Sequence, residues 1–376
     1  MKLPRPEYWH EQGIDVRLNP RVAFDSAGLA DFVRVEMGIS SAIVLATSGT
    51  TGSGPKFVVL KKSAMRASAH SVNTHLGITG DDRWLAPLTL FHVGGLGIFA
   101  RAALLKNEVV TVTDPLRWDK TGAEFKQLIR DHDISLTALT PTHLSDLVAH
   151  SLEAPASLRG ILIGGGAMNE SLTKRAIELG WPIWSTYGMT ETCSQIATGL
   201  VEQSALSGWA TILPGWEVRT EGDVCLVRGE ALFSGYVTRD AESGQWIADK
   251  PIDDGGWFRT GDRIQLRHDK SELSFLGRTD DLVKSLGELV SIRKLENRIQ
   301  DCGMVGVVFA IPDERRGHRF VAVLENGSQA DIEIVNETLA PFERIGEIIV
   351  VDELPRTAVG KIAKGELRQQ VVSRIS

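Results

Sequence analysis

The sequence predicts an α/β protein in which a large N-terminal part, with helix-covered, mostly parallel sheet and a β-rich subdomain, is followed by a small mobile α+β domain. Three observations carry this. Between residues 84 and 185 short apolar runs alternate with helical stretches, the pattern of βα units on a parallel sheet. Between Trp216 and Phe275 the texture changes to short alternating segments broken by Gly and Asp, as in antiparallel sheet. From Gly277 onward a second, smaller mixed pattern begins. We therefore divide the chain into residues 1–276 and 277–376.

Taken in order, the first candidate strands are residues 42–45 and 57–60, both wholly apolar. Ser63 offers a cap for a helix reaching Leu76, because a serine oxygen can accept from the free N–H groups of a first turn. Residues 84–86 lead into a helix over 96–105, a strand over 108–113 and a helix over 123–130. Leu136–Leu139 reads as a strand, Pro141–Ala149 as a helix with proline in its first turn, and 158–163 as a buried strand. A helix over 169–179 and a strand over 182–185 complete the alternation. In the β-rich stretch, 224–227 and 263–266 are the clearest strands. The C-terminal part reads as a helix over 294–300, strands over 306–311 and 320–324, a helix over 332–339 and a strand over 348–351.

Composition narrows the function. Of 376 residues, 43% are hydrophobic and 24% charged, ordinary values for a soluble globular chain with room for a large core. A net charge of −7 gives no global basic excess, so a nucleic-acid partner is not expected. Cys193, Cys225 and Cys302 are too far apart for a zinc pattern or a disulfide framework, which points to a reducing cytoplasm. No stretch approaches the ~20 apolar residues of a membrane span, and the N-terminus has no apolar signal core.

Chemistry concentrates in loops. Between the first two strands lies Ala46-Thr47-Ser48-Gly49-Thr50-Thr51-Gly52-Ser53-Gly54-Pro55-Lys56. Glycines let backbone N–H groups approach an anion, hydroxyls add donors and Lys56 adds a charge, so the loop can cradle a phosphate. A flexible surface loop has the same composition, and Pro55 before Lys56 departs from a Walker loop. Gly164-Gly165-Gly166 after the strand ending at Ile163 is either a tight turn or bare backbone against which a flat ring can lie. Tyr187-Gly188-Met189-Thr190-Glu191 offers an aromatic face, a hydroxyl and a carboxylate, although a glutamate at a helix start also serves the helix dipole. Asp262 in Thr260-Gly261-Asp262 can accept from two ribose hydroxyls or stabilise its own turn. Gly277-Arg278-Thr279-Asp280-Asp281 fits a hinge or a solvated linker, and Lys361 in Pro355-Arg356-Thr357-Ala358-Val359-Gly360-Lys361 stands on another loop. His92 precedes Gly94-Gly95 and reads as a core or supporting histidine. Arg101 interrupts an apolar helix; it needs an anionic partner if that helix is buried, or it snorkels at the helix edge.

The order and spacing of five of these motifs, Thr47 to Lys56, Tyr187 to Glu191, Thr260 to Asp262, Gly277 to Asp281 and Pro355 to Lys361, resemble the adenylate-forming superfamily of acyl-CoA synthetases, adenylation domains and luciferases. Pro87 to Gly95 with His92, and Glu191 to Thr198, are most similar to the branch whose acid is o-succinylbenzoate, an intermediate of menaquinone biosynthesis. The resemblance implies a ligase using ATP, Mg2+ and coenzyme A. The acid carboxylate attacks the α-phosphorus, pyrophosphate leaves, and the thiol then displaces AMP from the acyl-adenylate. It implies that Thr47, Ser48, Gly49, Thr50, Thr51, Gly52 and Lys56 hold the β- and γ-phosphates, that Glu191 ligates magnesium and that Thr190 meets the α-phosphate. Gly164, Gly165, Gly166, Tyr187, Gly188 and Met189 would frame the adenine, and Asp262 with Arg278 the ribose. Lys361 would act at the α-phosphate, Asp280 as the hinge, and Gly287 beside the pantetheine arm. His92, Arg101, Gly165 and Ser194 would line the acid pocket, with Arg101 facing the carboxylate that does not react.

The chain also departs from that pattern. Only 46 residues precede Thr47, where the family usually has many more, which implies an acid pocket that is more open or closed by a second copy in a homo-oligomer. Ser285-Leu286-Gly287 replaces the commoner Ser-Gly-Gly. Ligases for another aryl or acyl acid, transfer to a carrier protein, and a non-catalytic nucleotide-binding relative are the alternatives.

Overall fold

A computed structural model describes residues 2–22, 25–46, 56–166, 168, 170–201, 208–240, 242–356, 362–365, 367–368 and 371. Its centre is an eleven-stranded sheet whose two halves have different texture. Glu108–Thr111, Arg83–Ala86, Leu136–Leu139, Gly160–Ile163 and Ile183–Met189 lie side by side and parallel. All four residues of Leu136–Leu139 and of Gly160–Ile163 are buried, because helices cover both faces. Ser194–Leu200 then turns back antiparallel against Ile183–Met189, and Trp209–Ile212, Glu272–Arg278, Phe258–Arg267, Val224–Gly229 and Trp216–Glu221 continue outward. The β-rich stretch thus extends the parallel sheet through Ser194–Leu200, a strand that the sequence reading does not contain.

Several boundaries differ for local reasons. The helix expected to be capped by Ser63 is Lys62–His75, and no side chain caps its start; Ser63 lies within its first turn. The helix expected from 96 begins earlier, as Val93–Leu105, with His92 at the cap position. A Cβ on Gly95 would stand 2.2 Å from the Thr89 carbonyl, so glycine there lets the preceding loop cross the helix start closely. The strand expected over 182–185 runs on to Met189, so the tyrosine motif occupies a strand end.

Helices Lys62–His75 and Val93–Leu105 cover one face of the sheet over a core containing Met65, Val72, Trp84, Leu96 and Leu162. Phe125, Leu144, Ile161 and Trp181 belong to the core on the opposite face. A five-stranded sheet joins Gly13–Arg17, Ser41–Ala46, Phe57–Lys61, Gly235–Arg239 and Trp246–Asp249, so both ends of the candidate phosphate loop are anchored on neighbouring strands. The C-terminal region has its own three-stranded sheet, Val305–Asp313, Gly317–Glu325 and Ile345–Val351. Along its first two strands alternate residues enter two separate cores: Val308, Ala322 and Leu324 pack under helices Ile292–Asp301 and Gln329–Glu337, while Val307, Phe309, Val321 and Val323 pack against Leu354 and Leu367. Ser291 caps the first of these helices by accepting from the Lys294 N–H at 3.3 Å.

Candidate functional site

Ile183–Met189 is where the large sheet changes from parallel to antiparallel, a place where α/β sheets form crevices at strand ends. Two neighbouring strand ends carry glycine there, and the fold itself explains both. A Cβ on Gly164 would stand 2.5 Å from Thr186 Oγ1, whose hydroxyl donates to the Ile163 carbonyl at 2.9 Å. On Gly188 it would stand 1.8 Å from the Ser194 carbonyl, within the turn that closes Met189 onto Ser194. Gly165, exposed and at φ +79°, completes the first turn in a conformation suited to glycine.

Tyr187 points across to the antiparallel half. Its hydroxyl donates to Asp262 Oδ2 at 2.9 Å, and Arg278 Nη1 donates to the other oxygen at 3.0 Å. Burial raises the Asp262 pKa, while the hydrogen bond from Tyr187 and the Arg278 charge oppose that rise. Arg278 also donates to Asp280 Oδ2 at 3.2 Å, and Asp280 Oδ1 accepts from Thr279 Oγ1 at 3.0 Å, so the expected ribose and hinge residues form one cluster. A Cβ on Gly261 would meet Arg278 Nη2 at 2.6 Å; glycine gives the guanidinium its place.

Glu191 lies in a short 3-10 turn, Thr190–Thr192, with its carboxylate half-buried. Glu191 Oε1 accepts from the Tyr236 hydroxyl at 2.8 Å, and Lys56 Nζ stands 3.4 Å from the centroid of the same ring. Tyr236 therefore joins the expected phosphate-loop lysine to the expected metal carboxylate. Sequence reading omitted it. The one available signal is scarcity: the chain has three tyrosines, and all three donate to carboxylates, Tyr8 to Asp15 and the others as above.

On the other side, the ring of His92 lies 4.7 Å from that of Phe91 at the start of helix Val93–Leu105. Arg101, about two turns along, is only 2% exposed, which rules out snorkelling. Its guanidinium folds back along the helix over Gly97, where a Cβ would meet Nη1 at 3.2 Å and Nη2 at 3.4 Å, and its carbon lies 5.0 Å from the centroid of the Trp84 ring. No carboxylate pairs with it among the described residues, its Nε has no acceptor, and burial pulls its pKa down to about 9. Trp84 Nε1 and Asn73 Oδ1 are likewise buried without partners, although Asn73 Nδ2 donates to the Arg101 carbonyl at 3.0 Å. Trp84 and Gly97 were not singled out in the sequence, since their roles depend on Arg101 being buried.

The remaining candidates are dispersed or undescribed. Ser194 is half-buried and pairs with Met189. Gly287 occupies a tight hairpin turn between Leu282–Ser285 and Glu288–Ser291. Thr47, Ser48, Gly49, Thr50, Thr51, Gly52 and Lys361 lie outside the described residues. Among the described residues no group of three or more metal-binding side chains occurs, and no helix is long and apolar enough to cross a membrane.

Residues 36–237 match the family model for AMP-binding enzymes, and residues 297–361 match that for the AMP-binding enzyme C-terminal domain. The 2-succinylbenzoate–CoA ligase of Bacillus subtilis is 30% identical over 97% of this chain and 76% of its own length. The Bacillus pumilus ligase of the same name is 31% identical over 88% of this chain and 69% of its own. Among solved structures, o-succinylbenzoate CoA synthetase from Bacillus subtilis with the acyl-adenylate intermediate superposes with a TM-score of 0.74 at 29% identity, covering 87% of this chain and 68% of that one. The same enzyme with ATP and a magnesium ion gives 0.73 at 29% identity, covering 87% and 69%.

Proposed function

Starting from the fact that the chain belongs to the family of AMP-binding enzymes, we propose that it is an ATP-dependent acid–thiol ligase converting o-succinylbenzoate to o-succinylbenzoyl-CoA through an acyl-adenylate. The observation that carries the choice of acid is Arg101. An o-succinylbenzoate molecule brings two carboxylates: one becomes the nucleophile, and the other supplies the anion that the buried guanidinium lacks among the described residues. His92, at the start of the same helix, is assigned to close the aromatic pocket, and Gly165 and Ser194 are assigned to line it.

The substrate carboxylate is its own nucleophile, so the chain needs no activated side chain for attack. It has to neutralise charge spread over phosphoryl oxygens as the bond to the α-phosphorus forms and pyrophosphate leaves. Thr47 to Gly52 with Lys56 hold the β- and γ-phosphates, Thr190 the α-phosphate, and Lys361 reaches the α-phosphate and the attacking carboxylate. Tyr236 keeps Lys56 and Glu191 in fixed relation by touching both. Glu191 would supply a protein carboxylate, which fits a magnesium ion held largely by substrate phosphates and water. The metal, when bound, supplies further neutralisation of phosphate charge. Gly164 to Gly166, Tyr187, Gly188 and Met189 frame the adenine, and Asp262 and Arg278 present an acceptor and a donor to the ribose.

Residues 277–376 form the small domain that turns about Asp280. Rotation there breaks the Asp280 contacts to Arg278 and Thr279, withdraws Lys361 and brings the Leu282–Ser291 hairpin with Gly287 to the thiol. A cytoplasmic setting is in keeping with the three free cysteines. The test is pyrophosphate release and thioester formation across a panel of aromatic and aliphatic acids, with coenzyme A and a carrier protein as acceptors. Turnover with o-succinylbenzoate and coenzyme A is expected to exceed that with benzoate, which lacks the second carboxylate. Equal turnover of the two acids contradicts the assignment.

A further inference from the structure

Helix Ile292–Asp301 turns Ile292, Leu295 and Ile299 into the C-terminal core, and Arg293 lies outside that face. Its guanidinium carbon stands 4.6 Å from the centroid of Phe275, a half-buried ring on strand Glu272–Arg278 of the large sheet. Phe275 stacks on Tyr187, with centroids 5.5 Å apart and planes at 30°, and Tyr187 donates to Asp262. A cation of the C-terminal region therefore ends a stack that leads to the candidate nucleotide acid. Arg293 makes no ion pair or hydrogen bond through its guanidinium among the described residues. Burial lowers its pKa, and the more distant charges of Asp281, Glu296 and Asp262 offset part of the drop. A partly desolvated guanidinium without a paired carboxylate is costly, and the face of Phe275 compensates it in part.

We propose that Arg293 is a positioning residue that couples nucleotide binding to the orientation of the C-terminal region. Resting on Phe275, it presses that ring against Tyr187, so the aromatic wall beside Asp262 is complete only while helix Ile292–Asp301 stands where it does. This rests on the nucleotide reading above. The added content is that adenosine binding and the placement of the C-terminal region share one contact, at residue 293.

The experiment measures AMP affinity of the full chain by calorimetry for wild type, Arg293→Ala, Arg293→Lys, Phe275→Leu and the Arg293→Ala/Phe275→Leu double variant. Melting curves verify that each variant is folded. Arg293→Ala and Phe275→Leu are each expected to weaken AMP binding about five- to tenfold, the range of a partly desolvated cation–π contact. Arg293→Lys should recover most of the loss, and the double variant should be no weaker than Phe275→Leu alone. Pyrophosphate exchange should fall more in Arg293→Ala than thioester formation from supplied acyl-adenylate, a split that a merely structural role would not produce. Unchanged affinity in Arg293→Ala, additive losses in the double variant, or equal losses in both half-reactions would overturn the coupling while leaving the nucleotide reading intact. Failure of the wild-type chain to bind AMP overturns the nucleotide reading and the coupling with it.

Discussion

The two ends of the candidate site are built on opposite principles. At the end proposed for the nucleotide, Asp262 accepts from Tyr187 and Arg278, and Glu191 accepts from Tyr236, so each carboxylate is held by the protein itself. At the end proposed for the acid, Arg101 is buried and, among the described residues, has no carboxylate, and Trp84 Nε1 and Asn73 Oδ1 have no hydrogen-bond partners there either. A satisfied cluster fixes geometry and exchanges one partner for another on binding, which limits its net gain. On the proposed reading, an unsatisfied buried charge gains a charged partner only when the right substrate enters, so it discriminates strongly between acids.

The largest expected effect breaks the second half of this contrast. Arg101→Met removes the guanidinium at similar volume. It should raise KM for o-succinylbenzoate by about a hundredfold, the scale of a lost buried charge pair, while leaving KM for ATP within about twofold. Thermal melting of the ligand-free protein should not fall, because replacing an uncompensated buried charge by an apolar side chain is neutral or stabilising. Lowered melting with unchanged KM would make Arg101 a structural residue and remove the contrast.

Asp262→Asn tests the satisfied end and should show the reverse signature. Tyr187 and Arg278 lose a charged acceptor, so stability is expected to drop by about 1–3 kcal/mol in chemical denaturation. AMP affinity should fall about tenfold, whereas KM for the acid should stay near its wild-type value. A variant that lost acid affinity as severely as nucleotide affinity would show that the two ends are not separable.

The same contrast explains what could be read from sequence. Asp262, Glu191, Arg278 and the two glycine turns stand in short contiguous motifs whose local chemistry is visible in a few residues. Tyr236 lies 45 positions from Glu191, and Phe275 reaches Tyr187 only because strand Ser194–Leu200 joins the two halves of one sheet. No periodicity announces such long-range pairings. Arg101 was legible as an anomaly in an apolar helix, but its partners Trp84 and Gly97 become meaningful only once the helix is packed and its side-chain direction known. The β-rich texture between Trp216 and Phe275 was visible, yet its continuity with the parallel strands depends on Ser194–Leu200, which follows a turn too tight for its pattern to show.

Asp82 provides a purely structural reference for the satisfied arrangement. Arg159 Nε and Nη2 each donate to it at 2.7 Å, Ser135 Oγ donates at 2.7 Å, and the Thr79 N–H at 2.9 Å. Despite the burial that pushes its pKa upward, these hydrogen bonds and the Arg159 charge hold it down to about 2, below the 3.8 of a free side chain. A folded value below the unfolded one means the contribution is complete above roughly pH 4–5 and is lost as pH falls through 2. Asp82→Asn should therefore cost about 1–2 kcal/mol at pH 7, discounted for the solvent that screens the half-exposed Arg159, and almost nothing near pH 2. Denaturation at the two pH values measures this, and neither KM should move. A KM change for either substrate would show that the clamp is not independent of the site.

The smallest effect concerns the hairpin assigned to the thiol step. Leu286 has φ +52° and Gly287 φ +87°, so both central residues of the two-residue turn between Leu282–Ser285 and Glu288–Ser291 are left-handed, a conformation in which glycine or asparagine is favoured and leucine is not. Leu286 is also exposed, so it gains little from packing in return. Leu286→Gly should raise stability by up to about 1 kcal/mol, read as a small rise in denaturation midpoint, and leave pyrophosphate exchange unaltered. If it also slows thioester formation from supplied acyl-adenylate, leucine at this turn serves the thiol, and a local cost is retained at a second place where a substrate is expected. If thioester formation is unchanged, the turn carries strain without a role, and the cost of holding an unsatisfied group for a substrate is confined to Arg101.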